Sequence, residues 1–420
     1  MRMRNRLSKC SKHVAFAACM LALGGSFSAC QDEYLLDDAK PVWLNSSIYE
    51  TLESDGTYKN YLRLIADPDV NTGESDESSL VQILSKTGSK TVFAANDQAW
   101  QNFFEANKKL PKANPWHYAQ SYEQLSKNQK KLLLHTSMLN NAITMESLSS
   151  NSGETPTPGM YLRRYTDVEV VDTITKIAVT DLPKSYWTPE KQTSEIDPAL
   201  REVDQWSRIR NGGLLGYDTI YMVMDSSLTM MIHFTNEYMA KKQITDEDFR
   251  VIMGRERITS DVHIYDALLD SADIVCENGY INMTEKPLVP LTNMAEAIRT
   301  NGKTNIYSSM LDRFAVPVPN AALTAEYNRI YHYGDDANAE QVYEKRYYTK
   351  GSNRGTATDA DKGFLSYIDI NENEHNAKDG AALFFDPGWN EYRAGSGSTT
   401  KENDMAVMFV PTDEAMEKYF

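Results

Sequence analysis

The 420-residue chain writes one short design twice, and that repetition constrains its fold more than any bulk property. Thr91-Val92-Phe93-Ala94-Ala95 is a run of β-formers and small apolar residues, the composition of a buried strand. Asn96 then offers a helix N-cap, and the carboxylate of Asp97 suits the positive end of the helix dipole. Ala99, Trp100, Phe103 and Phe104 follow at three- and four-residue spacings and supply a buried face. The design returns 316 residues later as Val407-Met408-Phe409-Val410-Pro411-Thr412-Asp413-Glu414-Ala415-Met416, then Tyr419 and Phe420. Phe93 matches Phe409, Asp97 matches Asp413 and Ala99 matches Ala415. Upstream, Ser47-Ile48-Tyr49 with Leu52 pairs with Asn305-Ile306-Tyr307 with Met310 and Leu311. Helix, strand and capped helix in one order, twice, is an internal repeat, and a repeat takes precedence over other readings of a fold. The expectation is an α+β chain holding two copies of one unit.

Between these landmarks the pattern is readable. Ser46 to Ile65 predicts amphipathic helix broken at Asp55-Gly56, and Leu80 to Leu84 a short helix closed by Gly88. Asn278-Gly279 predicts a two-residue type I′ hairpin, whose central residues both need positive φ. Asp218 to Met224 reads as a strand, and Asn236 to Met253 as an apolar-periodic helix.

These residues resemble the fasciclin (FAS1) domain. Its first box has the form T-V-F-A-P-T-D-x-A-F, and the chain reads TVFAANDQAW at 91–100 and VMFVPTDEAM at 407–416. Its second box, a helix with a leucine run and a Tyr-His pair, is similar to Lys130-Lys131-Leu132-Leu133-Leu134-His135, with Leu134 where the family has Tyr. Its closing hairpin is similar to Ala272-Asp273-Ile274 through Asn278-Gly279 to Pro287-Leu288-Val289-Pro290. The resemblance implies a FAS1-type β-sandwich wrapped by helices over 42–299, with an insertion at about 184–261, and the start of a second FAS1-like domain over 300–420. That second unit is expected to be incomplete, the chain being a fragment or the half-domain packing unusually. His135 inherits a position linked to adhesion in the family; the alternative is an imidazole that satisfies backbone groups.

The N-terminus predicts an address. Arg2, Arg4, Arg6, Lys9 and Lys12 precede an apolar run from Val14 to Leu23, shorter than the roughly 20 residues a membrane span needs and suited to a signal peptide over 1–29. Phe27-Ser28-Ala29-Cys30 resembles a bacterial lipobox, with Cys30 as the lipidated residue; an ordinary secretory signal is the alternative. The acidic tether at 30–41 (Asp32, Glu33, Asp37, Asp38) resembles the surface-export signal of Bacteroidota lipoproteins. Of the four cysteines, Cys10 and Cys19 leave with the signal and Cys30 carries lipid, so Cys276 is expected to be a buried small hydrophobe. Removing the five basic signal residues leaves 38 Lys and Arg against 59 Asp and Glu, a net charge near −21 that repels nucleic acid.

No P-loop, dinucleotide fingerprint or G-x-S-x-G elbow occurs. Asp369-Ile370-Asn371-Glu372-Asn373 alternates oxygen ligands, yet Glu374 and Gly380 stand where an EF-hand needs Gly and Glu. No metal or other cofactor is implied. Aromatics crowd 331–395 among Asn, Asp and Gly, including Tyr347, Tyr348 and Trp389, in a loop about 58 residues longer than its counterpart. Flat rings beside amides and carboxylates suit sugar recognition; an inserted layer with its own small core is the alternative. The 184–261 insertion adds Trp187, Trp206 and the methionines Met222, Met224, Met230 and Met231 as a candidate docking surface. The expected function is a non-enzymatic, outer-membrane surface lipoprotein acting in adhesion or glycan binding, resembling accessory subunits of SusC/SusD-type importers. A carboxylate-dependent glycan hydrolase and a free-standing adhesin are the alternatives.

Overall fold

The computed structural model describes residues 45–70, 79–86, 88–151, 155–184, 206, 209–210, 217–224, 230–331, 339–347, 366–368, 374–376, 383, 386–388 and 407–419. By its contacts the chain divides into Met1–Asn45 and Ser46–Phe420, and the elements below belong to the second. They are, in order, α1 (Ile48–Asp55), α2 (Lys59–Ile65), α3 (Leu80–Lys86), β1 (Lys90–Ala95), α4 (Asp97–Asn107), α5 (Lys127–Thr136), β2 (Met138–Leu139), α6 (Met145–Leu148), β3 (Arg163–Arg164), β4 (Thr175–Ala178), β5 (Thr219–Val223), β6 (Met231–Phe234), α7 (Asn236–Lys242), α8 (Asp246–Met253), β7 (His263–Ile264), β8 (Ala267–Cys276), β9 (Gly279–Thr284), α9 (Met294–Thr300), α10 (Asn305–Asp312), β10 (Ala315–Pro319), α11 (Ala321–Tyr331), β11 (Val342–Tyr347), β12 (Ser366–Ile368), β13 (Glu374–Asn376) and α12 (Asp413–Tyr419). The class is mixed α and β, compatible with α+β.

A seven-stranded sheet runs β2-β1-β9-β8-β7-β6-β3, with β1 and β9 parallel and the other neighbours antiparallel. β1 lies inside it and is buried on both faces. Val92 and Ala94 join the helical core of Ile48, Leu64, Trp100 and Leu134, while Phe93 packs on the other face with Leu139, Met231 and Leu288. Burial on both faces explains why the segment reads as an unbroken apolar run rather than an alternating one. The N-cap foreseen at Asn96 forms, its Oδ1 accepting from the Ala99 N–H at 2.9 Å.

The hairpin between β8 and β9 corrects its sequence expectation. Cys276 pairs with Gly279, so the turn is Glu277-Asn278, and Asn278 does not take positive φ. Asn278 works through its side chain instead. Its Oδ1 accepts from the Ile48 N–H at 2.9 Å and its Nδ2 donates to the Leu84 carbonyl at 2.9 Å, tying the start of α1 to the end of α3. Gly279 faces Lys90 across the parallel pairing, and a Cβ there would lie 1.8 Å from the Lys90 carbonyl oxygen. Close approach, together with φ +147°, is what requires glycine. Cys276 is buried, as expected.

A second sheet of four strands runs β10-β11-β5-β4, and β12 pairs with β13 as a ribbon. The four-stranded sheet joins strands from both sides of the boundary expected at 299–300, which itself falls inside α9. Its core likewise mixes Val179, Trp206 and Met222 with Ile298, Leu311 and Tyr343. The 184–261 insertion is therefore structural in its described parts. It supplies β5 to one sheet and β6 to the other, and Met222, Met230 and Met231 are buried. The single helix expected from Asn236 to Met253 is two, broken where Gln243 adopts φ +57° and Thr245 caps α8.

The repeat is real at the level of hydrogen bonds, in a register twelve residues from the sequence match. Ser47 Oγ accepts from the Glu50 N–H to start α1, and Asn293 Oδ1 accepts from the Glu296 N–H to start α9. Gly56 (φ +76°) ends the first of these helices and Gly302 (φ +79°) follows the second. Asp97 Oδ1 accepts from the Asn60 N–H at 2.8 Å while its own N–H reaches the Thr57 carbonyl at 2.7 Å. Asp413 Oδ1 accepts from the Ile306 N–H at 2.8 Å while its N–H reaches the Lys303 carbonyl at 2.8 Å. Residues 47–65 thus correspond to 293–311, so Asn305-Ile306-Tyr307 answers Lys59-Asn60-Tyr61 rather than Ser47-Ile48-Tyr49. Each aspartate begins one helix and caps another. The expected second strand is the exception: 407–410 joins no sheet, and Phe409 is 91% exposed where Phe93 is 1% exposed.

Candidate functional site

The best-furnished side-chain cluster lies where α5 meets a 3-10 turn at Val170–Thr173, the strand β5 and the helix α11. A capping box of Ser126 and Gln129 starts α5, and Lys127, Lys131 and His135 then recur every four residues on one face. His135 Nδ1 lies 2.7 Å from Asp172 Oδ2. That carboxylate is buried and also accepts from the Glu169 N–H at 2.9 Å. The imidazole is partly open to solvent, its side chain 19% exposed, so a firmly held carboxylate orients a reachable ring. Asn128 anchors the turn from below, its Nδ2 donating to the Asp172 carbonyl at 2.9 Å.

Beside this pair stand three tyrosines. Tyr221 and Tyr327 have ring centroids 5.0 Å apart, and Tyr327 and Tyr331 4.6 Å apart. All three are half-buried, so part of each ring remains available. Lys127 Nζ sits 4.4 Å and Lys131 Nζ 4.3 Å from the Tyr331 centroid, and Lys176 Nζ 5.3 Å from that of Tyr221. These are cation–π distances. Burial brings the Lys131 ammonium down to about 8, helped by repulsion from Lys127 and opposed by Asp172 and Glu169. Burial, then the neighbouring charges of Asp172 and Glu326, raises the Glu169 carboxyl. Burial likewise raises the Tyr327 phenol, which stays protonated as a hydrogen-bonding group. A ladder of aromatic faces flanked by cations, a raised carboxyl and an oriented imidazole can hold a ligand that offers flat apolar faces and hydroxyl groups. Among the described residues, no group of three His, Cys, Asp or Glu side chains converges as a metal site requires.

Of the residues singled out by sequence, His135 and Tyr331, the first aromatic of the 331–395 region, stand in this cluster. Trp206 and Tyr347 come together elsewhere, in the core of the four-stranded sheet, at 1% and 7% exposure. Trp206 Nε1 donates to the Asp312 carbonyl at 2.9 Å, and the buried Lys345 ammonium pairs with the Asp312 carboxylate. Both aromatics fill the core, which corrects the expectation that they face a ligand or partner. Cys30, Trp187, Tyr348 and Trp389 lie outside the described residues, as do the Asp369–Asn373 segment and the signal and tether. Sequence reasoning missed Asp172, the role of Lys131, and Tyr221 and Tyr327 of the ladder. The recurrence of 127, 131 and 135 was a signal for the α5 face, but nothing local marked Tyr221 and Tyr327 as neighbours 106 residues apart. No protein-family model matches the chain, and no curated protein matches it.

Proposed function

We propose that the protein is a non-enzymatic binding module of fasciclin type, lipid-anchored at Cys30 on the outer-membrane surface, that holds a glycan on the Tyr221–Tyr327–Tyr331 ladder. The ladder carries the reading. Half-buried tyrosine rings tilted by 46° and 49° to one another offer the apolar surface a sugar ring needs, and His135 and Glu169 supply directional partners for hydroxyls. The fasciclin assignment is supported by the two first boxes, whose Asp97 and Asp413 do the same capping work. The acidic tether after Cys30 supports surface exposure, and such a placement suits an accessory subunit of a SusC/SusD-type nutrient importer. Retention of soluble plant and host polysaccharides in affinity electrophoresis is the direct measurement. Tyr331→Ala is expected to weaken retention by about tenfold, the order of one lost stacking face. Equal retention by wild type and variant, or none by either, overturns glycan binding on the ladder and leaves free-standing adhesion as the better account.

One observation favours a second reading, hydrolysis. Glu169 and Asp172 are neighbouring carboxyls, one raised and one held by an imidazole, a division that suits acid and base roles. Polymer turnover lost in Glu169→Gln would establish it; polysaccharide that binds and is never cleaved would exclude it.

A further inference from the structure

Three lysines flank the tyrosine ladder, and none has a carboxylate partner among the described residues. Lys127 and Lys176 are exposed, so water solvates them. Lys131 is different. It is only 3% exposed, yet its ammonium makes no hydrogen bond or ion pair among the described residues. That nitrogen is not sealed in the core either: it lies 4.3 Å from the centroid of the half-buried Tyr331 ring and retains contact with solvent.

The carboxylates nearby are already engaged. The adjacent Lys130 pairs with Asp67 and Asp69, both at 2.9 Å. Asp172 is held by His135, and Glu326 by Arg329. Glu169 and Asp172 attract Lys131 only from beyond ion-pair distance. Burial without a partner disfavours a charge, which is why the Lys131 ammonium is brought down to about 8. Lys127, one turn earlier on the same face of α5, adds a second positive charge against the same ring. What the position lacks is an anion.

We propose that the glycan held on the ladder is acidic, its oxyanion substituent, a carboxylate or a sulfate ester, pairing with the Lys131 ammonium beside Lys127. The inference rests on the ladder reading given above and narrows it from sugars in general to acidic sugars. Asp172 and Glu169 restrict the pose, because the hydroxyls of the sugar and not its charge must face them. The chain as a whole, with 43 Lys and Arg against 59 Asp and Glu, repels polyanions at long range, so retention of one reports close contact.

The test uses the full chain in affinity electrophoresis with two pairs of polysaccharides that differ in charge: polygalacturonate against its methyl ester, and dextran sulfate against dextran. The acidic member of at least one pair is expected to be retained about tenfold more tightly than its neutral counterpart, and the pair that shows it identifies the oxyanion. Lys131→Met keeps the buried stem and removes the charge, so it should bring the two members of that pair to within about twofold of each other. The variant should also melt at the same or a higher temperature than the wild type, because an unpaired buried charge is gone. Tyr331→Ala should weaken retention of both members. Neutral members retained as tightly as acidic ones by the wild type overturn the acidic assignment and leave glycan binding on the ladder standing. So does a Lys131→Met variant that keeps the full preference for the acidic member. Retention of no polysaccharide overturns the ladder reading itself, and the acidic assignment with it.

Discussion

The two copies of the repeated design, 47–104 and 293–419, share their local chemistry and differ in what surrounds them. In both, a side-chain N-cap starts a helix, a left-handed glycine marks its end, and an aspartate caps the next helix, 37 residues away in the first copy and 107 in the second. In the first copy, the residues before that aspartate form β1, flanked by β2 and β9. In the second, 407–410 joins no sheet and Phe409 stands in solvent. The apolar run is thus not what makes the strand; the neighbours are. An extended segment acquires β-structure when two others satisfy its N–H and C=O groups, whereas the aspartate cap needs only the N-terminus of the helix it caps.

The sharpest way to break this comparison is to truncate the matched phenylalanines. Phe93→Ala removes a ring packed between Leu139, Met231 and Leu288 and should cost about 3–5 kcal/mol in urea denaturation. Phe409→Ala at an exposed position should change stability by less than about 0.5 kcal/mol. A cost for Phe409→Ala approaching that of Phe93→Ala would mean that Phe409, exposed in this structure, packs against the core as its neighbours Met408 and Val410 do.

Acid should separate the two sheets. His233 on β6 and His263 on β7 are fully buried, with neither ring nitrogen hydrogen-bonded. Burial first, then Arg164, lowers His233 from 6.5 to about 3; burial first, then Arg255, lowers His263 from 6.5 to about 4. The folded state therefore binds fewer protons than the unfolded chain once pH drops below 6.5. Their stabilising contribution is complete above that pH and is lost as pH falls toward 4 and 3, on the order of 1.4 kcal/mol per unit for each histidine. The strands of the four-stranded sheet contain no histidine. Hydrogen exchange, corrected for its intrinsic pH dependence, should show β6, β7 and β8 opening first between pH 6 and about 4. His263→Phe, which keeps a ring against Phe249, should flatten part of that slope; an unchanged profile would remove histidine as its source.

The smallest effect sharpens the match between the copies. Gly56→Ala and Gly302→Ala both force a Cβ into left-handed backbone, at about 1–2 kcal/mol. Around Gly56 there is open space, whereas a Cβ on Gly302 would lie 2.8 Å from the Pro111 Cβ. Gly302→Ala should therefore cost the more of the two in thermal melts. Equal costs would mean that Pro111 yields freely.

Local chemistry was legible in the residues themselves. The cap at Asn96, the break at Asp55-Gly56 and the aspartate at the start of each first-box helix follow from groups acting on backbone within a few residues. Tertiary structure decided the rest. It assigned Asn278 to stitch α1 to α3, sent Trp206 and Met222 inward, moved the repeat register by one helix, and brought Tyr221 onto β5 beside Tyr327 on α11. A cap is specified by groups a few bonds apart, so its residues announce it. Whether a tryptophan is core or surface, and whether an apolar run is a strand, depends on what chain from a hundred residues away is laid against it. Sequence spacing contains no record of that placement.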